Sequence, residues 1–432
     1  MRKQEVRKEF FGERVGMVTL GCARNTVDSE AILSDAIAQG AKITTPDKAA
    51  VIMVNTCAFT KEAKEESIEA IIGLIELKKK GKIKKIIVYG CLVERYLKEL
   101  KDNFSEVDKF VGIADFKTRF NAAARLTPAH YAYIKIAEGC ANRCSYCSIP
   151  LIKGPLRSRG EADILNEVRR LEENGTRELN IIGQDITLFG ADLSRQKGPK
   201  TSLASLLKKI LKISRIPWIR LLYLHPKRIT DELLELFSVK GRICPYIDLP
   251  LQHINERLLK LMDRGVSKRA ILDLIFKLRG RASGLALRTS FIVGFPSETN
   301  KEFQELLDFI KATEFDKLGA FKYSREEGTR AYDFRGQRSG RIKEERYSRL
   351  MSLQKEISKR LLHKALGRTV SVMVDEEKAI RPGVYVGRTE CDAPEVDGVV
   401  YLKSSEYLKP GSIVTCHITD TYEYDMEAEA AV

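Results

Sequence analysis

Apolar residues fall in short β-rich runs separated by longer stretches of helical period, and this alternation repeats through two series before giving way to strands alone. From Val15 to about Ala124, the runs VGMVTLG, AAVIMVNT, KKIIVYG and DKFVGIA alternate with TVDSEAILSDAIAQG, TKEAKEESIEAIIGLIELKKKG, CLVERYLKELKDN and DFKTRFNAAAR. Strand followed by helix at this spacing predicts a doubly wound parallel sheet of four or five strands. The linker LTPAHYA opens a second series, with strands expected at 131–137, 178–183, 218–224, 246–251, 285–294 and 317–323. Six such units suggest an open (βα)6 barrel, with its chemistry at the C-terminal ends of the strands. After a charged connecting helix, TVSVMVD, GVYVGRT, GVVYLK and SIVTCHI predict a small antiparallel barrel of OB-like size. The expected class is α/β with an all-β C-terminal unit, divided as 14–126, 127–341, 342–365 and 366–432.

The 432 residues exceed what one core holds. At 44% apolar and 31% charged, the chain has the profile of a soluble globular protein, which excludes disorder as the main state. MRKQEVRKEFFGERVG has no apolar stretch of signal length, and no run reaches the roughly 18 apolar residues of a membrane span. A cytoplasmic protein with no membrane partner is expected, and a monomer, since coiled-coil heptads are lacking. In a reducing compartment an odd count of nine cysteines argues for metal or redox chemistry over disulfides. The net charge of +15 first suggests a polyanionic partner. Its distribution changes that picture: residues 366–432 hold 6 basic and 13 acidic side chains, net −7, leaving +22 on the first 365. Two differently charged partners, or one of mixed charge, are implied. The basic run KKKGKIKK reads as a solvated helix end.

The sharpest chemical signal is EGCANRCSYCSIP, which spaces Cys140, Cys144 and Cys147 as C-x3-C-x2-C after the first strand of the second series. A structural zinc takes four protein ligands. A 4Fe-4S cluster held by three cysteines keeps one iron open. The alternatives are a Cys3His zinc site using His130 or His225, or three buried thiols. Cys22, Cys57 and Cys91 are about 35 residues apart, too far for a linear motif, but each follows a strand of the first series. A parallel sheet would gather them at its ligand-binding edge, as a second three-cysteine cluster facing the first. The alternative is that they are small buried hydrophobes. Cys244, Cys391 and Cys416 read as structural thiols. His225 and His253 at strand ends are either substrate contacts or satisfied core histidines. Asp185 and Asp248 reach the same mouth, yet no paired carboxylates or hydrolytic triad emerge.

The three-cysteine loop, with Tyr146 before its last cysteine and a βα barrel around it, resembles the radical S-adenosylmethionine (SAM) superfamily. The resemblance implies that SAM chelates the open iron and is cleaved by one electron to methionine and a 5′-deoxyadenosyl radical, which abstracts hydrogen from carbon. Two three-cysteine sets with an appended β barrel resemble the methylthiotransferase family over nearly the whole chain. This implies an N-terminal methylthiotransferase domain, a radical SAM barrel and a C-terminal TRAM barrel, using two SAM and two 4Fe-4S clusters to insert a methylthio group into a C–H bond. Cys140, Cys144 and Cys147 would bind the SAM cluster, and Cys22, Cys57 and Cys91 the auxiliary one. SAM contacts would come from Tyr146, from Gln184 in the turn Gly183–Asp185, from Gln252, and from Arg288 with the VGFP turn. No GGE motif follows the second strand, so the SAM amino group would be met by other atoms.

LGCARNTVDSE, NTCAF, YGCLVERY, CSIPLIKGPLRSR, LPLQH and VGRTECDAPEVDG look like the protein-modifying branch of the family. That branch acts on the β-carbon of an aspartate in ribosomal protein S-twelve, free or on the small ribosomal subunit. An electron donor such as flavodoxin or ferredoxin is also implied. The tRNA-modifying branch is expected to read VQSGS at 249–253 and to lack APEVDG. Charge agrees, because an RNA-grasping barrel should be basic, whereas −7 on 366–432 suits a basic protein. Methylthiolation of a modified tRNA adenosine is the alternative, and a zinc or ribosome-binding module the third reading.

Overall fold

A computed structural model describes residues 10–113, 124–193, 201–238, 241–281, 284–378 and 382–431. The helix expected for DFKTRFNAAAR falls mostly on 114–123 and lies outside the described residues. The first sheet contains β1 (Arg14–Thr19), β2 (Lys42–Ile43), β3 (Val51–Thr56), β4 (Lys85–Gly90) and β5 (Lys109–Val111). All its pairings are parallel, in the order β2-β1-β3-β4-β5. β3 is buried along its whole length, as a central strand covered on both faces must be. The order turns around between β1 and β3, which puts the crevice of this sheet at the C-terminal ends of those strands. Helices α1 (Ala23–Ala38), α2 (Lys61–Lys79) and α3 (Cys91–Asn103) follow β1, β3 and β4. Lys78 and Lys79 close α2 where its dipole favours cations, and they also pair with Asp108 at 2.6 Å and Glu106 at 2.7 Å.

The second sheet begins with β6 (Tyr131–Lys135), followed by a small hairpin, β7 (Ala137–Glu138) with β8 (Arg157–Ser158). It continues through β9 (Glu178–Ile182), β10 (Trp218–Leu221), β11 (Ile243–Asp248), β12 (Ala286–Val293) and β13 (Lys317–Lys322). These six long strands pair in parallel and in chain order, so β6 and β13 are the edges of an open barrel. Alternation along the strands separates two surfaces. Ile134, Leu179, Ile181 and Ile219 join the largest core, with Ile164, Val168, Leu206 and Ile310 of the covering helices. The other face carries Tyr131, Tyr133, Arg220 and Tyr246, a polar lining for an apolar shell.

A helix at Gly340–His363, near the expected 342–365, leads to β14 (Thr369–Glu377), β15 (Val384–Thr389), β16 (Val400–Lys403), β17 (Ile413–Thr421) and β18 (Met426–Ala430). They close a barrel in the order β14-β15-β16-β18-β17. This corrects the antiparallel, four-strand expectation: β18 is a fifth strand, and it pairs with β16 in parallel. Its sequence, MEAEA, hides the pattern because only Met426 and Ala428 face inward. The acidity of this unit is also partly spent within the fold. Asp375 pairs with Arg388 and with His130, both at 2.8 Å, and Asp392 pairs with Lys317 at 2.6 Å.

Candidate active site: two cysteine sets beside one cleft

The residues of β1, β3 and β4 are aligned so that Thr19 lies beside Asn55 and Thr56 beside Gly90. Cys57 and Cys91 therefore leave the sheet at the same level, with Cys22 beside them as the residue preceding α1. Gly21 records how close they are. Its φ is +93°, and a Cβ built there would stand 3.1 Å from the Cys57 Sγ. Cys57 and Cys91 are buried, and Cys22 is half-buried. Burial raises the Cys57 thiol and pushes Cys91 up to about 12, helped for Cys91 by the Cys57 and Cys22 sulfurs. Burial would do the same to Cys22, but the Arg24 guanidinium holds it below the usual thiol range, its Nε donating to the Cys22 Sγ at 3.3 Å. Arg24 also lies over the Tyr223 ring at 4.5 Å and donates to the Gly183 carbonyl at 3.3 Å, so it spans from the first sheet to the barrel.

Cys140, Cys144 and Cys147 lie on the loop between β7 and a short helix at Ile149–Lys153. The loop is fastened from several sides. Ser145 donates through N to the Met262 carbonyl at 2.9 Å and through Oγ to the Leu261 carbonyl at 2.7 Å, while its own carbonyl accepts from Ala331 N at 2.8 Å. Donors also reach the sulfurs: Asn142 N and Nδ2 lie 3.4 Å from Cys140 Sγ, and Arg264 Nη1 lies 3.6 Å from Cys144 Sγ. Burial raises Cys140 and pushes Cys147 up to about 12. Among the described residues, no three His, Cys, Asp or Glu side chains close on a single metal ion. Three thiols on one loop with hydrogen-bond donors at their sulfurs suit an iron–sulfur cluster that keeps one iron open, in which each thiolate takes a different iron.

One cleft of about 400 Å³ is lined by Cys22 of the first set and by all three cysteines of the second. Tyr146, Gln184, Gln252 and Arg288 line it too. Gln184 donates to Glu138 at 2.7 Å, and Glu138 is held at about 2, against its own burial, by Lys135 and Lys153. Gln252 has φ +73° and bridges β11 to β12, its N donating to the Ser290 carbonyl at 2.8 Å. Arg288 pairs with Asp248 at 2.7 Å.

The other sequence candidates separate. His253 is fully buried, accepts from Asn255 N at 2.9 Å and lies 3.3 Å from Glu298, so it is a core histidine. His130 faces the C-terminal barrel, away from the cysteines, which removes it as a zinc ligand. Asp185 anchors the cysteine loop through Asn142 at 2.7 Å and through Arg228. Cys244 and Cys416 are buried in packed clusters. His225 behaves differently. It lines the cleft, its Nδ1 accepts from Lys227 N at 3.2 Å, and its buried Nε2 has no protein partner among the described residues. Burial, with Arg264 and Arg228 nearby, depresses it to about 2, so it is a neutral ring that carries its proton on Nε2 beside the cleft. Arg24 and Arg264 were missed in sequence, since a lone arginine has no periodic signal.

Comparison with known proteins matches residues 14–112 to Uncharacterized protein family UPF0004, 134–310 to the Radical SAM superfamily and 366–431 to the TRAM domain. A protein of Desulforamulus reducens named ribosomal protein uS12 methylthiotransferase RimO is 43% identical over 96% of this chain and 99% of its own length. One of the same name from Pelotomaculum thermopropionicum is 42% identical over 98% of this chain and 100% of its own. Among solved structures, the radical SAM methyltransferase TsrM of Kitasatospora setae, with cobalamin and a [4Fe-4S] cluster bound, shares the fold at TM-score 0.50 and 13% identity, covering 87% of this chain and 81% of its own. With relatives this similar along almost all of its length, the chain belongs to the RimO family of radical SAM methylthiotransferases.

Proposed function

We propose that the chain adds a methylthio group to the β-carbon of an aspartate in ribosomal protein uS12. The observation that carries this reading is that Cys140, Cys144 and Cys147 share one cleft with Cys22, which stands at the strand ends where Cys57 and Cys91 leave the same sheet. Cys140, Cys144 and Cys147 would hold the cluster that binds SAM, and Cys22, Cys57 and Cys91 the second. When bound, these groups supply one-electron cleavage of SAM and the sulfur to be inserted. The protein's own part is positioning. Tyr146, Gln184, Gln252 and Arg288 would meet SAM, and the His225 Nε2–H would donate to an oxygen of SAM or of the substrate. Arg24 and Arg264 place positive charge beside one sulfur of each set, which favours the reduced cluster. In this reading residues 14–126 carry the second cluster, 127–341 the SAM site, 342–365 the connector and 366–432 the TRAM barrel. The enzyme would act as a monomer in the cytoplasm, on free uS12 or the assembled small subunit, with flavodoxin or ferredoxin as reductant.

The test is anaerobic reconstitution with iron and sulfide, then incubation with SAM, dithionite and either uS12 or tRNA. About eight iron per chain and the methylthio mass on a uS12 peptide are expected. The mass on a tRNA adenosine alone would overturn the substrate assignment, and full activity with four iron would overturn the two-cluster reading.

A further inference from the structure

The open barrel leaves a gap between its edge strands, and the loop joining β15 to β16 spans it. At one edge, Glu395 accepts from the Tyr131 and Tyr133 hydroxyls of β6 at 2.9 and 3.3 Å. At the other, Asp392 pairs with Lys317 of β13 at 2.6 Å. Between them the Glu390 carbonyl accepts from Arg220 of β10 at 2.7 Å, and Asp397 accepts from the Tyr246 hydroxyl of β11 at 2.7 Å and lies 3.6 Å from Arg288 of β12. Arg388, just before the loop, pairs with Glu178 of β9 at 2.8 Å. The C-terminal barrel thus touches all six strands.

Three carboxylates of this loop, Asp392, Glu395 and Asp397, are committed to the barrel, and Glu395 sits at φ +65°, a left-handed conformation that a residue with a side chain rarely adopts. Such a turn persists only where its surroundings hold it. What it holds out is Val396, which is 50% exposed, joins no hydrophobic cluster among the described residues, and lines the same cleft as the cysteines. Val396 also borders a second cavity with Lys317, Gln354 and Tyr424, so it stands on the rim of the reaction cleft, where a branched apolar side chain pinned at both neighbours is stiff and pre-positioned. We infer that Val396 is a specificity-determining residue, packing against an apolar part of the substrate segment beside the carbon to be modified. This rests on the methylthiotransferase reading and extends it: the last unit of the chain supplies a wall of the active cleft, besides any surface it offers.

The test uses the full-length reconstituted enzyme with purified uS12, comparing the unaltered chain with Val396→Ala and Val396→Asp. Iron content and thermal melting identify any variant that fails to fold. Removing methyl groups from an apolar substrate contact typically costs about tenfold, so Val396→Ala should raise KM for uS12 about tenfold while kcat changes less than about threefold. Val396→Asp, which brings a charge to a contact that loses water, should raise it further. KM within twofold of the unaltered enzyme in both iron-replete variants would overturn the inference. If the unaltered enzyme modifies tRNA instead, the substrate assignment falls, and the same KM comparison on tRNA decides the role of Val396. An unaltered enzyme that modifies neither overturns both.

Discussion

Cys140, Cys144 and Cys147 lie within eight consecutive residues of one loop, whereas Cys22, Cys57 and Cys91 come from three strand ends spread over seventy residues. The loop set is half-buried and held by contacts from outside, from Ser145 to Leu261, from Asn142 to Asp185 and from Arg264 to Cys144. The strand-end set is mostly buried and held by the register of the parallel sheet itself. One site is therefore as adjustable as a loop, and the other as fixed as a core. A cofactor that must admit SAM and a substrate suits the first construction. A group kept apart from solvent suits the second.

Exchanging ligands should break the comparison most completely. Cys144→Ala should abolish both SAM cleavage and methylthiolation, while Cys57→Ala should abolish methylthiolation and leave SAM cleavage measurable as 5′-deoxyadenosine. Each should lose about four iron per chain. Equal losses of SAM cleavage in the two variants would show that the sets do not divide the work. Next come the glycines beside each set. Gly21 and Gly139 have φ of +93° and +72°, and a Cβ would crowd Cys57 at the first and the Pro155 carbonyl at the second. Alanine at either should cost about 1–3 kcal/mol. Iron analysis and denaturant melts should show Gly139→Ala losing more of its cluster, since its Cβ would meet backbone at 2.1 Å, whereas at Gly21 it would meet the Cys57 side chain at 2.9 Å.

A smaller effect concerns pH. His225 sits at about 2 in the fold against 6.5 when free, so below 6.5 the unfolded chain binds a proton that the folded chain refuses. Stability from this group is complete above 6.5 and falls by about 1.4 kcal/mol per pH unit below it. Urea melts at pH 7.5, 6.5 and 5.5 should show that slope reduced in His225→Gln; an unchanged slope would refute the assignment. The smallest expected effect is on reduction potential. Arg24→Met and Arg264→Met each remove a positive charge beside one sulfur, so each should move only its own cluster to a more negative midpoint in a spectroscopic titration.

The same contrast explains what could be read before any coordinates. Both α/β layers were legible because their strands are apolar runs with helices between, and the loop cysteines because their spacing is local. The strand-end cysteines became legible only by assuming the parallel sheet, which carries three distant residues to one edge. Strand β18 escaped because alternate glutamates mask a two-residue apolar period. The parallel β16–β18 pair escaped because register between non-adjacent strands leaves no local trace. Net charge on 366–432 is negative, but Asp375, Asp392 and Asp397 turn inward to Arg388, Lys317 and Tyr246. Composition counts charges without saying which of them face water.

The loop from β15 to β16 also sets a schedule. All five strands it touches are synthesised before it, with more than 250 residues separating Tyr131 from Glu395. Contacts over such separations form late, because the intervening chain must first give up its freedom. A nascent enzyme would already contain every sulfur it needs, yet its reaction chamber would stay breached at the flank until translation had passed the final barrel.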